Sequence, residues 1–460
     1  MEKTTEKKKS SENQSTDKKK TDTTNAAMNG QEAEAGQTSI LETIATQLGC
    51  EANKKTIAGN SKLMGRVMSE LSGQTLNEAL DFLYDEVIDV DILMNMIESR
   101  FGVPVVDNRK STWKKLDSAT YQFVSNTKDH GQPIAWSSAA LREVYKVYIL
   151  LPQGDLDQIK CLMHLDDTEY GGAAWGNKNT TIGVYYVNYK KGKETKKETI
   201  FAPSHTDNFF DRRNNTIMLD MTTAHELGHV VDGAAGWKYS RKGSAMRDVS
   251  KWKETANDPS TVVSAMEKSI NGTIYGGKLS DNELELARKV GVRYLKRDQD
   301  SFAGKWSTAA ATMISDLKAE IKSSKAKVSD ADKLGKSITS KNGSSLLYHL
   351  WRGQAANSSW YNHSDAMKGM KRPYHQGYKD QEWYTFDKSC WNDKISCYQF
   401  RNPKEEFAET YASYHAAPTM GKKKGENTPK GLLDWFISEG LGDAIPEGGN
   451  AGVEESSERK

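Results

Sequence analysis

The sequence predicts an α+β fold, and three observations carry the prediction. The segment TTIGVYYVNY, residues 180–189, alternates β-branched and aromatic residues in the manner of a strand. Segments such as SSAALREVYKVYILL and DNELELARKVGVRYLKR repeat their apolar residues at helical spacing. The strand candidates come ahead of TTAHELGHVVDGAAGW, residues 222–237, which reads as a helix, and this order suits an α+β domain.

Composition narrows the function classes. The 460 residues leave room for two or three domains and at least one sizeable core. With 36% apolar and 27% charged residues and a negative mean hydropathy, the expectation is a soluble chain. A net charge of +2 gives no basic stripe, so nucleic acid is not an expected partner. Nine histidines and four cysteines are too few for a zinc-finger array or a disulfide scaffold. No apolar run approaches the ~20 residues of a membrane span. The longest, around Val144–Leu151, is broken by Lys146 and ends at Pro152. The N-terminus has lysines but no apolar stretch, so it is not a secretory signal. The expectation is a cytoplasmic protein as synthesised, with export by a non-classical route as the alternative.

In chain order, residues 1–37 are Lys, Glu, Ser and Thr with almost nothing to bury, and a disordered polar tail is expected. Residues 38–107 read as a small helical module: Ile40, Leu41, Ile44 and Leu48 recur at helical spacing, as do Leu80, Phe82, Leu83 and Val87. DVDILMNMIESRF is a third helix candidate there, and Pro104 closes the module. The main domain is expected over 108–442. SSAALREVYKVYILL is a helix ending at Pro152; TTIGVYYVNY, ETIFAP and NTIMLDM are strand candidates; 222–235 is helical. Residues 240–345 are helical and charged, and 346–400 are crowded with aromatics. Helices resume over Pro403–Tyr414 and Gly431–Glu439, and 443–460 is a second disordered tail. There is no internal repeat.

The chemistry concentrates at 222–237. Thr223 and Glu226 fit a capping box, which accounts for the glutamate but not for two histidines four apart. Positions i and i+4 are neighbours on one helical face, so His225 and His229 can point at one ion. Glu226 lies one step round, within reach of a water on that ion. This is the H-E-x-x-H zinc arrangement, with the glutamate as general base. Catalytic zinc takes three protein ligands and keeps a position for water. Downstream, CYQFRNPKEEFAETYASYH offers carboxylates. A helix begun by Pro403 sets Glu405 and Glu409 one turn apart on one face. One of them can bind the metal, and the other can receive a ring N–H from a ligand histidine and fix its orientation. The alternative is a solvated acidic first turn, in which Glu405 and Glu406 only complement the helix dipole.

HELGHVVDGAAGW resembles the zinc-helix segment of the anthrax lethal factor family: H-E, an aromatic or aliphatic residue, G-H-x-V-D, then small residues and an aromatic. EEFAETYASYH is similar to that family's third-ligand helix, and TPKGLLDWFISEGL resembles its closing helix. The family places a catalytic tyrosine seven residues before its ligand glutamate, and Tyr398 stands seven before Glu405. The likeness is loose over Lys110–Gly442 and close in two short segments. It implies a gluzincin-type zinc endopeptidase with a zincin fold, a thermolysin-like half domain. It implies one Zn²⁺ per chain on His225, His229 and Glu405, with Glu226 as base, Tyr398 as transition-state donor and Glu409 behind the ligands. Asp232, three residues past His229 on the same face, either supports the ligands or caps the helix end. Glu405 follows His229 by 176 positions, against a few dozen in the family, so about 240–395 reads as an insertion, a lid or substrate-binding subdomain. Its aromatics either line a groove or, as aromatics more often do, form core.

The expected function is hydrolysis of peptide bonds in a protein or peptide substrate. The rival is a catalytically inactive, zinc-stabilised binding or structural protein. Glu226 and Tyr398 speak against it, since neither is needed to hold a metal. A third reading adds delivery of a toxin-like effector by secretion or injection machinery through the polar N-terminal tail. Cys390 and Cys397 could pair only outside the cytoplasm and are otherwise free thiols, while Cys50 and Cys161 stand alone.

Overall fold

The computed structural model describes residues 39–118, 121–122, 132–166, 173–177, 180–186, 219–255, 257–270, 279–297, 305–340, 346–354, 370–376, 382–396 and 398–443. The strand candidate ETIFAP, Cys397 and all but the innermost residue of the C-terminal tail lie outside them, as does the N-terminal tail. Among the described residues helices dominate and the sheets are small, which is compatible with α+β. No described helix is long and apolar enough to cross a membrane. The chain divides into two compact units, Met1–Arg100 and Phe101–Lys460.

The first unit is helical: α1 (39–48), α2 (Lys54–Ala58), α3 (Ser61–Glu70), α4 (Gly73–Leu83) and α5 (Val90–Phe101). Asn53 starts α2 by accepting the Thr56 N–H at 3.0 Å. Asn60 starts α3 by accepting from Lys62 and Leu63 at 3.0 and 3.2 Å. The periodic apolar positions turn inward, with Ile44, Leu48, Leu80, Leu83 and Val87 buried.

In the second unit β1 (Val105–Val106), β2 (Gln132–Pro133), β3 (Leu162–Asp166), β4 (Ala173–Asn177) and β5 (Thr180–Tyr186) form a sheet. Its order is β1–β3–β5–β4, with β2 also on β3. β3 runs parallel to β1 and β5, in register at His164↔Tyr185, whereas β2 and β4 are antiparallel to their neighbours. The short helix α6 (Lys110–Trp113) follows β1. α7 (Ser138–Tyr148) begins at Ser137, whose hydroxyl accepts the Ala140 N–H at 3.2 Å, and α8 (Gln153–Leu156) follows.

TTIGVYYVNY supplies β5. NTIMLDM supplies no strand where it is described, because Leu219, Asp220 and Met221 form the first turn of α9 (Leu219–Ala234). So short an apolar run does not distinguish strand from buried helix by period. The Asp220 carboxylate accepts the Met221 N–H at 2.8 Å, satisfying a donor that a first turn leaves orphaned.

After α10 (Ala245–Val249) the chain enters β6 (Lys253–Thr255) and returns through β8 (Trp383–Thr385). The two strands pair antiparallel, Lys253 opposite Thr385, and β7 (Tyr374–Gln376) lies on the other side of β8. Between them α11 (Pro259–Ser269), α12 (Asp281–Leu295), α13 (Trp306–Ser324), α14 (Ala331–Ile338) and α15 (Leu346–Gln354) enclose a hydrophobic core of their own. Val263, Met266, Val290, Tyr294, Met313 and Leu350 are among its members. The described aromatics of this segment pack inward, with Trp306 5.1 Å from Tyr348 and 5.3 Å from Trp351 between ring centres. Trp360, Tyr361 and Tyr378 lie outside the described residues. At the foot of the β6–β8 stem, Trp252, Phe386 and Phe400 form a smaller cluster, with Phe386 stacked on Phe400 at 4.1 Å. α16 (Pro403–His415) and α17 (Lys430–Ser438) complete the unit.

Candidate metal centre

The centre exists because α9 and α16 touch backbone to backbone. Gly228, inside HELGH, makes this contact: a Cβ there would lie 2.9 Å from Ala408 Cα and 3.1 Å from Tyr411 Cβ. α16 is fixed at its start by Asn402, which accepts the Lys404 and Glu405 N–H groups at 2.9 and 3.1 Å, with Pro403 in the first turn. Farther along, the Tyr411 hydroxyl donates to Asp155 of α8 at 2.6 Å. Every residue of α16 from Glu405 to His415 is buried. The solvated acidic turn is therefore not what forms: neither Glu405 nor Glu406 faces water.

Three side chains converge between the two helices. Nε2 of His225 and Nε2 of His229 each lie 3.1 Å from the same Glu405 oxygen, Oε2. The two imidazoles stand nearly perpendicular, 4.8 Å apart. The three ligand atoms lie within 4.8 Å of one another, so this group can hold a metal ion. One turn along α16, Glu409 Oε1 lies 3.2 Å from Nδ1 of His225. Glu405 and Glu409 thus address opposite edges of one imidazole.

The electrostatics follow from this packing. Burial works against a charged His225, yet Glu405 and Glu409 outweigh it and hold its pKa well above the usual imidazole range, with a smaller push from Glu226. Burial likewise works against an ionised Glu405, but His229 and His225 hold that carboxyl well below its usual range. The cluster stabilises positive charge where its three ligand atoms meet, whether as a proton or as a metal cation.

The remaining sequence-derived residues fall around this point. Glu226 is buried on α9 beside His225. Tyr398 opens a 3₁₀ turn, Tyr398–Arg401, just before the α16 cap. Its ring centre lies 5.7 Å from that of His225, and its hydroxyl accepts from Arg401 Nη1 at 3.1 Å. Asp232 bonds to the turn that follows its helix. Its Oδ1 accepts the Tyr239 N–H at 3.0 Å, and among the described residues no hydrogen bond joins it to a histidine. It holds the turn that follows α9, which is the capping alternative. That turn is also clamped to α16, since Tyr239 stacks on Phe407 at 5.0 Å and Lys404 Nζ sits 3.6 Å over the Trp237 ring. Cys390 is a free thiol, as are Cys50 and Cys161.

Sequence reasoning gave Glu406 only a place in a solvated acidic first turn. This carboxyl is fully buried and accepts from Ser250 Oγ, from Trp252 Nε1 at 2.6 Å and from Gln399 Nε2 at 3.1 Å. Burial, only partly offset by these donors, pushes its pKa up to about 7. No local signal marked it: Phe407, Ala408, Tyr411, Ala412 and Tyr414 fall on one face of α16, and Glu406 lies on the other with Thr410 and Ser413, where the helical period leads one to expect a solvated side chain.

Comparison with known proteins adds no relative to this geometry: no family model matches the chain, and neither a curated protein nor a solved structure is significantly similar to it.

Proposed function

We propose that this chain is a zinc metalloendopeptidase of the gluzincin type, with a zincin fold around α9 and α16. The observation that carries the reading is the meeting of two histidine Nε2 atoms and one glutamate oxygen, drawn from positions 225, 229 and 405. Two imidazoles and a carboxylate are the donor set of catalytic zinc, and Glu409 on the far edge of His225 is the support such a ligand takes. When bound there, zinc supplies Lewis acidity, acidifying a water and polarising the scissile carbonyl. Glu226, beside His225, would take a proton from the attacking water and hand it to the leaving amine. The Tyr398 hydroxyl donates to the oxygen that becomes negative in the transition state. Glu409 holds His225 in the tautomer that leaves Nε2 free to bind.

The test joins metal content to hydrolysis. The purified protein should carry one zinc per chain, and His225→Ala and Glu405→Ala should each lose it. Glu226→Gln should keep the zinc while cleavage of a peptide library falls by ~10²–10⁴-fold. Zinc kept by Glu405→Ala but lost by Glu409→Ala would move the third ligand one turn along. A zinc-loaded Glu226→Gln that cleaves at the parent rate would end the proposal.

A further inference from the structure

We infer that Glu406 is a positioning residue for Tyr398, tying the turn that carries the phenol to the stem of the inserted segment. The inference rests on the role proposed above for Tyr398. Glu406 follows the ligand Glu405 about 100° further round α16, and its acceptors are met by donors from two other parts of the chain. Ser250 and Trp252 stand immediately before β6, the first strand of the stem. Gln399 follows Tyr398 in the 3₁₀ turn. The Gln399 amide cannot rotate freely, because its Oε1 accepts the Ile395 N–H at 2.7 Å and so commits Nε2 to Glu406. Trp252 belongs to the cluster with Phe386 and Phe400 against which Tyr398 packs.

Packing alone would not call for a carboxyl here, since burying one is costly unless its acceptors are met. A carboxylate offers acceptors on both oxygens, whereas Trp252 Nε1 and Gln399 Nε2 can only donate. Glutamine at 406 keeps the shape but must turn its NH₂ toward one of those two donors. Either the Gln399 tie to the turn bearing Tyr398 or the Trp252 tie to the stem against which that turn packs is then lost, while Glu405 and both histidines are untouched.

The experiment places 3-fluorotyrosine at position 398 of the full-length chain and reads its ¹⁹F resonance, with circular dichroism confirming the fold. Glu406→Gln should shift, broaden or split that resonance. Gln399→Met, which cuts the same tie from the other end, should do likewise and serves if Glu406→Gln does not fold. Asp316→Asn, which loosens the ion pair of the buried Asp316 in the inserted segment, should leave the resonance unchanged. In peptide hydrolysis, Glu406→Gln should lower kcat by ~10-fold with KM unchanged, and the drop should vanish in a Tyr398→Phe background, as coupled residues require. An unaltered resonance in both tie-cutting variants overturns the inference, and so do losses of kcat that multiply independently of Tyr398. A parent protein that hydrolyses nothing would sink the proposed function alone, and the ¹⁹F resonance would still decide the role of Glu406.

Discussion

His225 illustrates how much rests on single side chains here. Its Nε2 faces Glu405 and its Nδ1 faces Glu409, so in the proposed centre the two carboxylates divide the ring between ligand and support. Glu409→Gln keeps the size of that support but removes its charge. It should weaken zinc binding by ~10–100-fold, measured by competition with a chelator, without changing the stoichiometry at saturating metal. Tyr398 is a different kind of contributor, since no ligand depends on it. Tyr398→Phe should retain full zinc and lower kcat by ~10²–10³-fold, the cost of one oxyanion donor. A zinc-loaded Tyr398→Phe with normal kcat would make the tyrosine a packing residue.

At the scale of elements, the site is the crossing of α9 and α16, and Gly228 permits it. An alanine there would put its Cβ 2.9 Å from Ala408 Cα, and backbone cannot step aside as a flexible side chain would. Gly228→Ala should therefore force the helices apart, cost about 1–3 kcal/mol of stability and weaken metal binding. Gly233 lies on the same helix but would meet only the Trp237 ring at 3.6 Å, so Gly233→Ala should be neutral or stabilise by up to about 1 kcal/mol. Thermal unfolding and zinc affinity of the pair would separate the two cases, and equal behaviour would refute the close-contact account. The contrast also marks what could be read from sequence. His225 and His229 were legible because four-residue spacing on a helix is local geometry. Glu405 and Glu409 were legible because Pro403 announces where their helix begins. The close approach at Gly228 and the burial of Glu406 depend on partners elsewhere in the fold, and the bond from the Tyr239 N–H to Asp232 depends on the shape of the turn after α9. Glu406 meets Ser250 and Trp252 across 156 and 154 positions, a separation no local period encodes. Leu219–Met221 was misread as strand because a run that short fits either period.

Across the second unit, buried ionisable groups set a pH dependence whose sign can be worked out. His415 lies among Tyr411, Tyr414 and Phe436 at 4.5, 4.9 and 5.8 Å between ring centres, and burial lowers its pKa to about 3. His375 is also lowered by burial, to about 4, with its Nε2 2.6 Å from the Arg401 carbonyl. In the unfolded chain an imidazole titrates near ~6.5. Below that pH the unfolded state gains two protons that the folded state refuses, so stability is complete above ~6.5 and falls with acid. Glu406 acts with the opposite sign. Raised to about 7 by burial, it holds a proton in the folded state that the unfolded chain releases above ~4.3, so its contribution is full at low pH and lost as pH rises to 7. From these three groups alone, two imidazoles against one carboxyl give a net uptake of one proton on unfolding between ~6.5 and ~4.5, about 1.4 kcal/mol per pH unit, and the carboxyls of Asp155, Asp220 and Asp232, also raised by burial, reduce it. The clean measurement removes one contributor. His415→Gln keeps a polar side chain in the pocket but cannot take up the proton. Chemical unfolding at pH 7.0 and 5.0, with chelator present so that metal release adds nothing, should show the parent losing about 2 kcal/mol more than the variant, from the ~1.5 units below the unfolded pKa. Equal losses in the two proteins would mean that His415 is charged in the folded state, and that the aromatic cage around it does not exclude the proton.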